Sequence, residues 1–295
     1  EPVSQDSSAA VYEGAEIIYY QSGQGDGYGE GAEQEAHTEQ EAQSHTVLTI
    51  TAPGTYRVTG TLSQGQLVID LGEQSRTDAS AVVNLVLDNA DLTCTVAPAI
   101  LVKNAYECGS ADTTSAIAEV DTSGAGFNLI LADDSDNVVS GSYVAKIYQP
   151  DTTETLYKYD AAIDSLVSFN IDGEQLGNGI LTVNAENEGI ESFFHLTINA
   201  GDITVFSQDD GLNANADFVS VLTINGGHFY GTSEGTSCIF VYTSMSSGSK
   251  ATVTINGGKF EAATPSNGTY YVLNHQDNAT AGCTITVNGG SFKNY

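Results

Sequence analysis

One short phrase recurs four times in the last hundred residues of the chain. Its first copy, residues 196–201, reads LTINAG, and the later copies read LTINGG at 222–227, VTINGG at 253–258 and ITVNGG at 285–290. The Asn positions lie 26, 31 and 32 residues apart. A fixed phrase at such a period is typical of a solenoid, in which each repeat buries its apolar face against its neighbours.

The phrase itself predicts a strand followed by a turn. Apolar-Thr-apolar alternation indicates a strand with one buried and one solvated face, and Asn-Gly-Gly suits a tight turn because glycine tolerates positive φ. We therefore predict an all-β parallel β-helix over residues 46–295, with about seven to eight coils. Stacked coils would place equivalent asparagines on one another as a structural ladder. The predicted members of this ladder are Asn199, Asn225, Asn256 and Asn288.

The charge balance limits the partners of the chain. It has 38 acidic and 8 basic residues, a formal net charge of −30. Nucleic acids and anionic membranes attract lysine and arginine, so this balance predicts neither as a partner. No apolar run approaches the ~20 residues of a membrane-spanning helix. The negative electrostatic field of the chain favours solubility and attracts divalent cations. We expect the protein to be a monomer.

Residues 1–45 differ in composition from the remainder. They hold ten acidic residues and no lysine or arginine, with Gly, Gln, Ser and Ala filling most of the other positions. Low hydrophobicity with charge of one sign predicts an acidic low-complexity tether. The patch at 15–20, which reads AEIIYY, is the exception, and it is a candidate capping strand for the first coil.

The four cysteines do not define a metal site. They occur at positions 94, 108, 238 and 283, and none belongs to a CxxC pair. Cys94 and Cys283 continue the inward alternation of their strands and are expected to behave as small hydrophobes. The sequence allows a disulfide between Cys94 and Cys108 but does not require one. Cysteine usage therefore does not decide the redox compartment.

A second recurring phrase carries the candidate metal ligands. Residues 161–165, 188–192 and 210–214 align so that Asp164, Glu191 and Asn213 form one column. Glu188 and Asp210 form the next column, and Asp209 lies beside them. We expect these polar residues to face outward and to stack about 4.8 Å apart.

The negative charges of stacked carboxylates repel one another, and a stable fold must offset this repulsion. Like charges ~5 Å apart repel by about 3 kcal/mol at an effective dielectric of 20. A Ca²⁺ ion, which takes six to eight oxygen ligands, would relieve this repulsion. The alternatives are a solvated, screened face or carboxyl groups with raised pKa.

A long insertion at 143–159 is the candidate sugar-contact surface, because long loops of a repeat array often carry binding. It brings Tyr148, Tyr157, Lys146 and Lys158 together in sequence. Tyr230, two residues after His228, is expected to face solvent, where its ring could stack on a sugar.

The order of these phrases resembles a known family. Residues 53–62, 85–91, 161–163 and 209–212 are similar to bacterial surface β-helix proteins described as carbohydrate-binding and polysaccharide-lyase-like, common in clostridia. The resemblance covers about residues 46–240. It implies a right-handed, single-stranded parallel β-helix, an extracellular or lipoprotein setting, bound calcium and a polysaccharide partner. The chain departs from the family at Glu188-Gly189, where Asp-Gly is usual, and after residue 235, where the acidic pair is missing.

An enzyme is the rival interpretation. Glu188 and Glu191, followed by Asp210 one coil later, resemble the acids of a polygalacturonase, in which one carboxyl protonates and another activates water. Those enzymes add a His and an Arg-x-Lys on the following coils, and neither stands at the matching positions here. A pectate lyase needs a strong base beside its calcium, but the arginines, Arg57 and Arg76, fall in the first coil.

We therefore predict a secreted or cell-surface protein that binds a pectin-like or cellulosic polysaccharide with Ca²⁺, and we assign no catalytic residue. Acidic sugars fit as ligands because a calcium ion held by protein carboxylates can keep open positions for a uronate. The alternatives are a calcium-dependent polysaccharide lyase, a polygalacturonase-like glycoside hydrolase and a structural surface spacer.

Overall fold

A computed structural model describes most of the chain. It covers residues 3–14, 16–20, 29–30, 36–110, 117, 119–148, 155–216, 219–233, 237–243, 250–263, 271–276 and 282–294. The strands, in chain order, are β1 (Val11–Glu13), β2 (Gly29–Glu30), β3 (Thr46–Ile50), β4 (Gly54–Leu62), β5 (Gly65–Asp70), β6 (Val83–Thr93), β7 (Ile100–Asn104), β8 (Phe127–Leu131), β9 (Asp136–Gly141), β10 (Val144–Tyr148), β11 (Thr155–Tyr159), β12 (Ala161–Ser165), β13 (Phe169–Gly173), β14 (Ile180–Ala185), β15 (Glu188–Ser192), β16 (His195–Ile198), β17 (Asp202–Ser207), β18 (Leu212–Ala216), β19 (Val219–Ile224), β20 (His228–Ser233), β21 (Ser237–Thr243), β22 (Lys250–Ile255), β23 (Lys259–Ala263), β24 (Tyr271–Gln276), β25 (Gly282–Val287) and β26 (Ser291–Asn294).

The strands form a β-helix-like solenoid with parallel faces. Face A is the sheet β1-β3-β5-β7-β12-β15-β18-β21-β24. A larger sheet carries the other two faces, and the long strand β6 joins them: its first half pairs with β8 and its second half with β9. Face B then continues through β8, β13, β16, β19, β22 and β25, and face C through β9, β14, β17, β20, β23 and β26. The all-β solenoid prediction is confirmed, while the handedness and the number of coils stay predictions.

The recurring phrase builds face B. Leu196 lies beside Leu222 in the parallel register, and Ile198 lies beside Ile224. These apolar side chains are at most 2% exposed, because alternate residues of a strand point to the same face and here that face is the core.

The asparagines at the end of the phrase bond along the solenoid axis. The side-chain amides of Asn225, Asn256 and Asn288 each donate to the carboxamide oxygen of the asparagine one coil earlier, over 2.8 Å. Asn199 donates to Asp172 over 2.7 Å at the start of this asparagine column. The column lies on the exposed side of the turns.

The glycines after these asparagines have a conformational role. Gly227 and Gly258 have φ values of +85° and +103°, which L side chains rarely adopt. A Cβ atom on Gly227 would also lie 2.8 Å from the Gly201 carbonyl oxygen of the preceding coil. The turn therefore needs glycine for its backbone conformation and for the close approach of stacked coils.

The N-terminal segment contacts the solenoid. Strand β1 pairs antiparallel with β3, so the strand at this end of face A is Val11–Glu13 and not the predicted capping strand at 15–20. Ile17, Tyr19 and Tyr20 are nevertheless buried in the core, which explains the apolar character of that patch.

The helices of the described residues are short. Helix α1 (Glu39–Gln43) begins with a capping box between Thr38 and Glu41, and two 3-10 helices span Glu73–Thr77 and Thr122–Gly124. None of these helices is long and apolar enough to cross a membrane.

Cys94 follows the prediction of a small buried residue, and the side chain of Cys283 lies outside the described residues. Cys94 is 2% exposed, and burial raises the pKa of its thiol to about 11. Cys94 and Cys108 are both free thiols in the structure.

The asparagine column generates a stability prediction. Asn225→Leu or Asn256→Leu should lower the free energy of unfolding by about 1 kcal/mol, because two column bonds are lost while the exposed neighbours can turn to water. Urea unfolding measures the effect. Gln64→Leu makes a similar amide-to-leucine change at an exposed position outside the column and should leave the midpoint nearly unchanged. Midpoints equal to that of the wild type for both column variants would contradict the prediction.

Candidate functional site

The candidate site lies on face A, where adjacent coils bring acidic residues together. The parallel register pairs Asp164 of β12 with Glu191 of β15, and Glu191 with Asn213 of β18. Glu188 begins β15, and its backbone N–H donates to the carbonyl oxygen of Asp160, directly before β12. The register of the face therefore decides which carboxylates meet.

Three carboxylates form the centre of this site, and we call Asp160, Glu188 and Glu191 the acidic cluster. One oxygen from each lies within 4.8 Å of the others. Their residues are only 4%, 6% and 4% exposed. The amide of Asn213 donates to Glu188 over 2.7 Å and to Glu191 over 3.1 Å, and so holds the two carboxylates side by side.

Burial dominates the electrostatics of the acidic cluster. Loss of solvent raises the pKa of Glu188 to about 8, and the charge of Asp160 adds to this shift. The same two causes raise the pKa of Glu191 well above its usual range. Burial also raises the pKa of Asp160 and, together with the neighbouring Asp160 charge, raises that of Asp164 further.

One basic side chain approaches the acidic cluster. The Lys158 ammonium lies 3.6 Å from a carboxylate oxygen of Asp160, while about half of the lysine side chain stays exposed. Burial acts to lower the pKa of Lys158, but attraction to Asp160, Glu188 and Glu191 outweighs it and the pKa is raised. A single lysine cannot balance this many buried carboxylates, so protons or a cation must supply the remaining positive charge.

The donor set fits a hard divalent cation. Oxygens of Asp160, Asp164 and Asn213 are buried without a hydrogen-bond partner in the described structure. Buried polar atoms normally have partners, so these oxygens beside three clustered carboxylates are available to a cation or to a proton-bearing group. Ligand atoms on opposite sides of a Ca²⁺ ion are about 5 Å apart, which agrees with the spacing in the acidic cluster.

The predicted metal ligands divide into two groups. Glu188 and Glu191 belong to the acidic cluster, and Asp164 and Asp210 are buried close to it, where each charge raises the pKa of a cluster carboxyl group. Asp209 is half-buried, and its backbone carbonyl accepts from the Ser207 and Ser233 hydroxyls.

The polar residues of the two columns are buried and not exposed to solvent, as an outward-facing column is expected to be. Asp164 is 1% exposed and Asp210 is 4% exposed, as buried as the cluster itself. Burial is the physical reason for the raised pKa values, which a solvated face would not produce.

Of the predicted sugar-contact residues, Lys158 and Tyr230 have described side chains, and these two lie on different parts of the solenoid. Strands β10 and β11 form an antiparallel hairpin, and β10 also pairs with β2. The side chains of Lys146, Tyr148 and Tyr157 lie outside the described part of this hairpin. Lys158 approaches the acidic cluster instead of an open surface, and Tyr230 is half-buried on face C.

Sequence reasoning missed Asp160. It stands one residue before the aligned phrase 161–165, so the alignment that found Asp164 excluded it. A polar residue directly before a buried strand of the repeat was the available signal.

Sequence reasoning also missed a buried hydrogen-bond network at the start of the face B strands β13 and β16. The Ser168 hydroxyl lies 2.8 Å from Glu107 and 2.9 Å from Nδ1 of His195. His195 Nε2 lies 3.1 Å from the carbonyl oxygen of Ile117, which can only accept, so Nε2 carries a proton. These contacts fasten Glu107 and Ile117 to the strands of face B.

Comparisons with known proteins agree with this structure. A profile of the family "carbohydrate-binding domain-containing protein" matches residues 44–114 and 110–294. A carbohydrate-binding domain-containing protein of Acetivibrio thermocellus is 32% identical over 163 residues, which are 55% of this chain and 46% of that relative. The match therefore spans less than half of the relative's length.

A solved structure is also similar to this chain. The polysaccharide lyase-like protein from C. thermocellum, in a gadolinium derivative, superposes with a TM-score of 0.54 and 26% identity, covering 84% of each chain. Together these findings confirm the resemblance to clostridial carbohydrate-binding, lyase-like proteins that the sequence phrases indicated.

The raised pKa values predict an unusual pH dependence in metal-free protein. Glu188 titrates at about 8 in the folded chain against an ordinary value of 4.5, so the folded state holds more protons between these values. Stability should be fully present below pH 4.5 and should fall as the pH rises towards 8. Urea midpoints measured with chelator across this interval test the slope, and Glu188→Gln should flatten it. A midpoint that rises with pH, with the same slope in the variant, would contradict the prediction.

Proposed function

Because this chain belongs to the family of carbohydrate-binding domain-containing proteins, we propose that it binds a polysaccharide at the cell surface or after secretion, with a Ca²⁺ ion held by the acidic cluster. The family match over nearly the whole solenoid supports the carbohydrate partner. The close approach of three buried carboxylates, within 4.8 Å, is the observation that carries the calcium site.

Calcium suits the acidic cluster better than a proton-only arrangement. Asp160, Glu188 and Glu191 would supply carboxylate ligands, and the partnerless oxygen of Asp164 could join them. A hard cation prefers such oxygen donors, and gadolinium, present in the related polysaccharide lyase-like structure, shares that preference. Bound calcium would offset the repulsion between buried carboxylates of neighbouring coils.

The burial of the acidic cluster favours a structural role for the ion. A calcium ion that bridges to a uronate needs a coordination position open to the ligand, and cluster residues at most 6% exposed leave little room for a sugar. Acidic sugars stay in the proposal as a second ligand class, bound through a cation. Their binding should then depend directly on calcium.

Glycan hydrolysis or elimination is the second candidate function. A carboxyl group with a pKa near 8 is protonated at neutral pH, which is the state that the acid of a glycosidase requires. The same burial that raises this pKa keeps a sugar away from Glu188. Binding therefore fits the site better than catalysis.

The calcium site predicts a linked gain in stability. An ion that binds only the native state should raise the free energy of unfolding by about 2.7 kcal/mol at a calcium concentration one hundred times the Kd. Urea unfolding with and without calcium measures this gain, and isothermal titration calorimetry measures the Kd. Glu191→Gln should reduce the calcium-dependent gain even if it stabilises the metal-free protein by removing a buried charge.

The control for that variant is Glu73→Gln, the same change at an exposed position in a 3-10 helix. It should keep the full calcium-dependent gain. Native mass spectrometry showing no bound calcium, together with unfolding that ignores chelator, would overturn the calcium proposal.

The carbohydrate proposal predicts retardation in affinity electrophoresis gels that contain polysaccharide. Any retardation by polygalacturonate should disappear with chelator, because a protein of charge −30 needs a cation to hold a polyanion. Absence of retardation across pectic and cellulosic glycans would contradict binding and favour the spacer. Release of new reducing ends or of unsaturated sugars, lost in Glu188→Gln, would favour the enzyme instead.

A further inference from the structure

We propose that a neutral polysaccharide chain lies along the solenoid axis in a groove at the edge of face C, an inference that rests on the proposed carbohydrate binding. The groove is defined by Thr93, Ser140, Asn184, Phe206 and Thr232, and we call it the axial groove. It is separate from the acidic cluster, which lies on face A.

The parallel register creates the axial groove. Thr93 pairs with Ser140, Ser140 with Asn184, Asn184 with Phe206, and Phe206 with Thr232. These four steps between strands extend about 19 Å, since neighbouring strands lie about 4.8 Å apart. The groove has a volume of about 360 Å³. An extended chain of several sugar residues matches a linear groove of this length.

An exposed aromatic ring lies one strand from the Thr232 end of the axial groove. Phe206 is 43% exposed, although an outward position on a sheet usually carries a polar residue. Its ring contacts Tyr230 edge to face, with centroids 6.4 Å apart, so the neighbouring coil holds its orientation. An exposed apolar ring rimmed by polar groups marks a binding surface, and its electron-rich face attracts the C–H groups of a sugar.

The polar groups around this ring suit sugar hydroxyls. The Asn184 amide donates to the Ser140 hydroxyl over 3.1 Å, which positions both side chains at the groove surface. Amide and hydroxyl groups offer donors as well as acceptors, and sugar hydroxyls need both. The hydroxyls of Thr93 and Thr232 extend this supply to the two ends of the groove.

The charge of the axial groove favours a neutral glycan. Among the described residues that line it, Glu186 is the charged one, and no lysine or arginine is present. A uronate would meet this carboxylate and the field of a chain with a net charge of −30. A neutral polysaccharide carries no such penalty.

A second groove, of about 580 Å³, fits a ligand less well. Arg76 and Lys103 line it, but they already have protein partners: Arg76 donates to Asn104 over 2.9 Å, and Lys103 lies 3.9 Å from Asp70. An acidic sugar would have to compete with these contacts. Lys103→Gln therefore provides a variant that tests the second groove.

The test is affinity electrophoresis of the full chain in hydroxyethylcellulose, xyloglucan, mixed-linkage β-glucan and polygalacturonate. Phe206→Ala and Asn184→Ala should each weaken binding to a neutral glycan by about tenfold, the size expected for loss of an aromatic or paired polar contact. Leu176→Ala is the matched control, because it removes a 68% exposed apolar side chain outside the axial groove. Thermal melting should be nearly unchanged in all three variants.

The outcomes separate this inference from the proposed function. Neutral-glycan binding that Phe206→Ala and Asn184→Ala leave intact, or that Lys103→Gln abolishes instead, would overturn the axial groove and leave carbohydrate binding standing. Binding to polygalacturonate alone would overturn the neutral ligand. Absence of binding by the wild type to every glycan would overturn both proposals.

Discussion

Parallel stacking in register is the constraint on which this molecule depends. Each coil places its residues about 4.8 Å from the equivalent residues of the coils before and after it. A residue type that bonds to itself is therefore stabilised by repetition, and one that repels itself is destabilised by repetition. The asparagine column is the favourable case, because an amide donates on one side and accepts on the other.

The acidic cluster is the unfavourable case. The same stacking forces Glu191 between Asp164 and Asn213 on face A, and Asp160 and Glu188 add further charge within the same buried region. Asn213 and Lys158 compensate in part, through amide donors and one ammonium group. Such a concentration of buried carboxylates is costly to the fold unless something binds there, which is why the cluster is informative about function.

The acidic cluster and the axial groove have separate physical roles. In the proposed function, the acidic cluster fastens coils together by holding a cation, and its burial leaves little access for a polymer. Face C offers the reverse: the axial groove is accessible, nearly uncharged and long in the direction of the solenoid axis. A solenoid can separate an ion site from a polymer site in this way because each face repeats independently along the axis.

The solenoid, the strand phrase and the family resemblance can be predicted from the sequence alone, because they depend on local alternation and on repetition along the chain. The sequence also predicted that Asp164, Glu191 and Asn213 share one column, because the register of the strands follows from the aligned phrases. The folded structure was needed to show that this column is buried, that Asp160 joins Glu188 and Glu191, and that Lys158 approaches them. These features depend on how the faces and connections pack around each coil. A repeat pattern in the sequence does not reveal how far each residue is buried from solvent. The axial groove was hidden for the same reason: Asn184 and Phe206 are unrelated in sequence pattern and meet only because parallel strands bring them side by side.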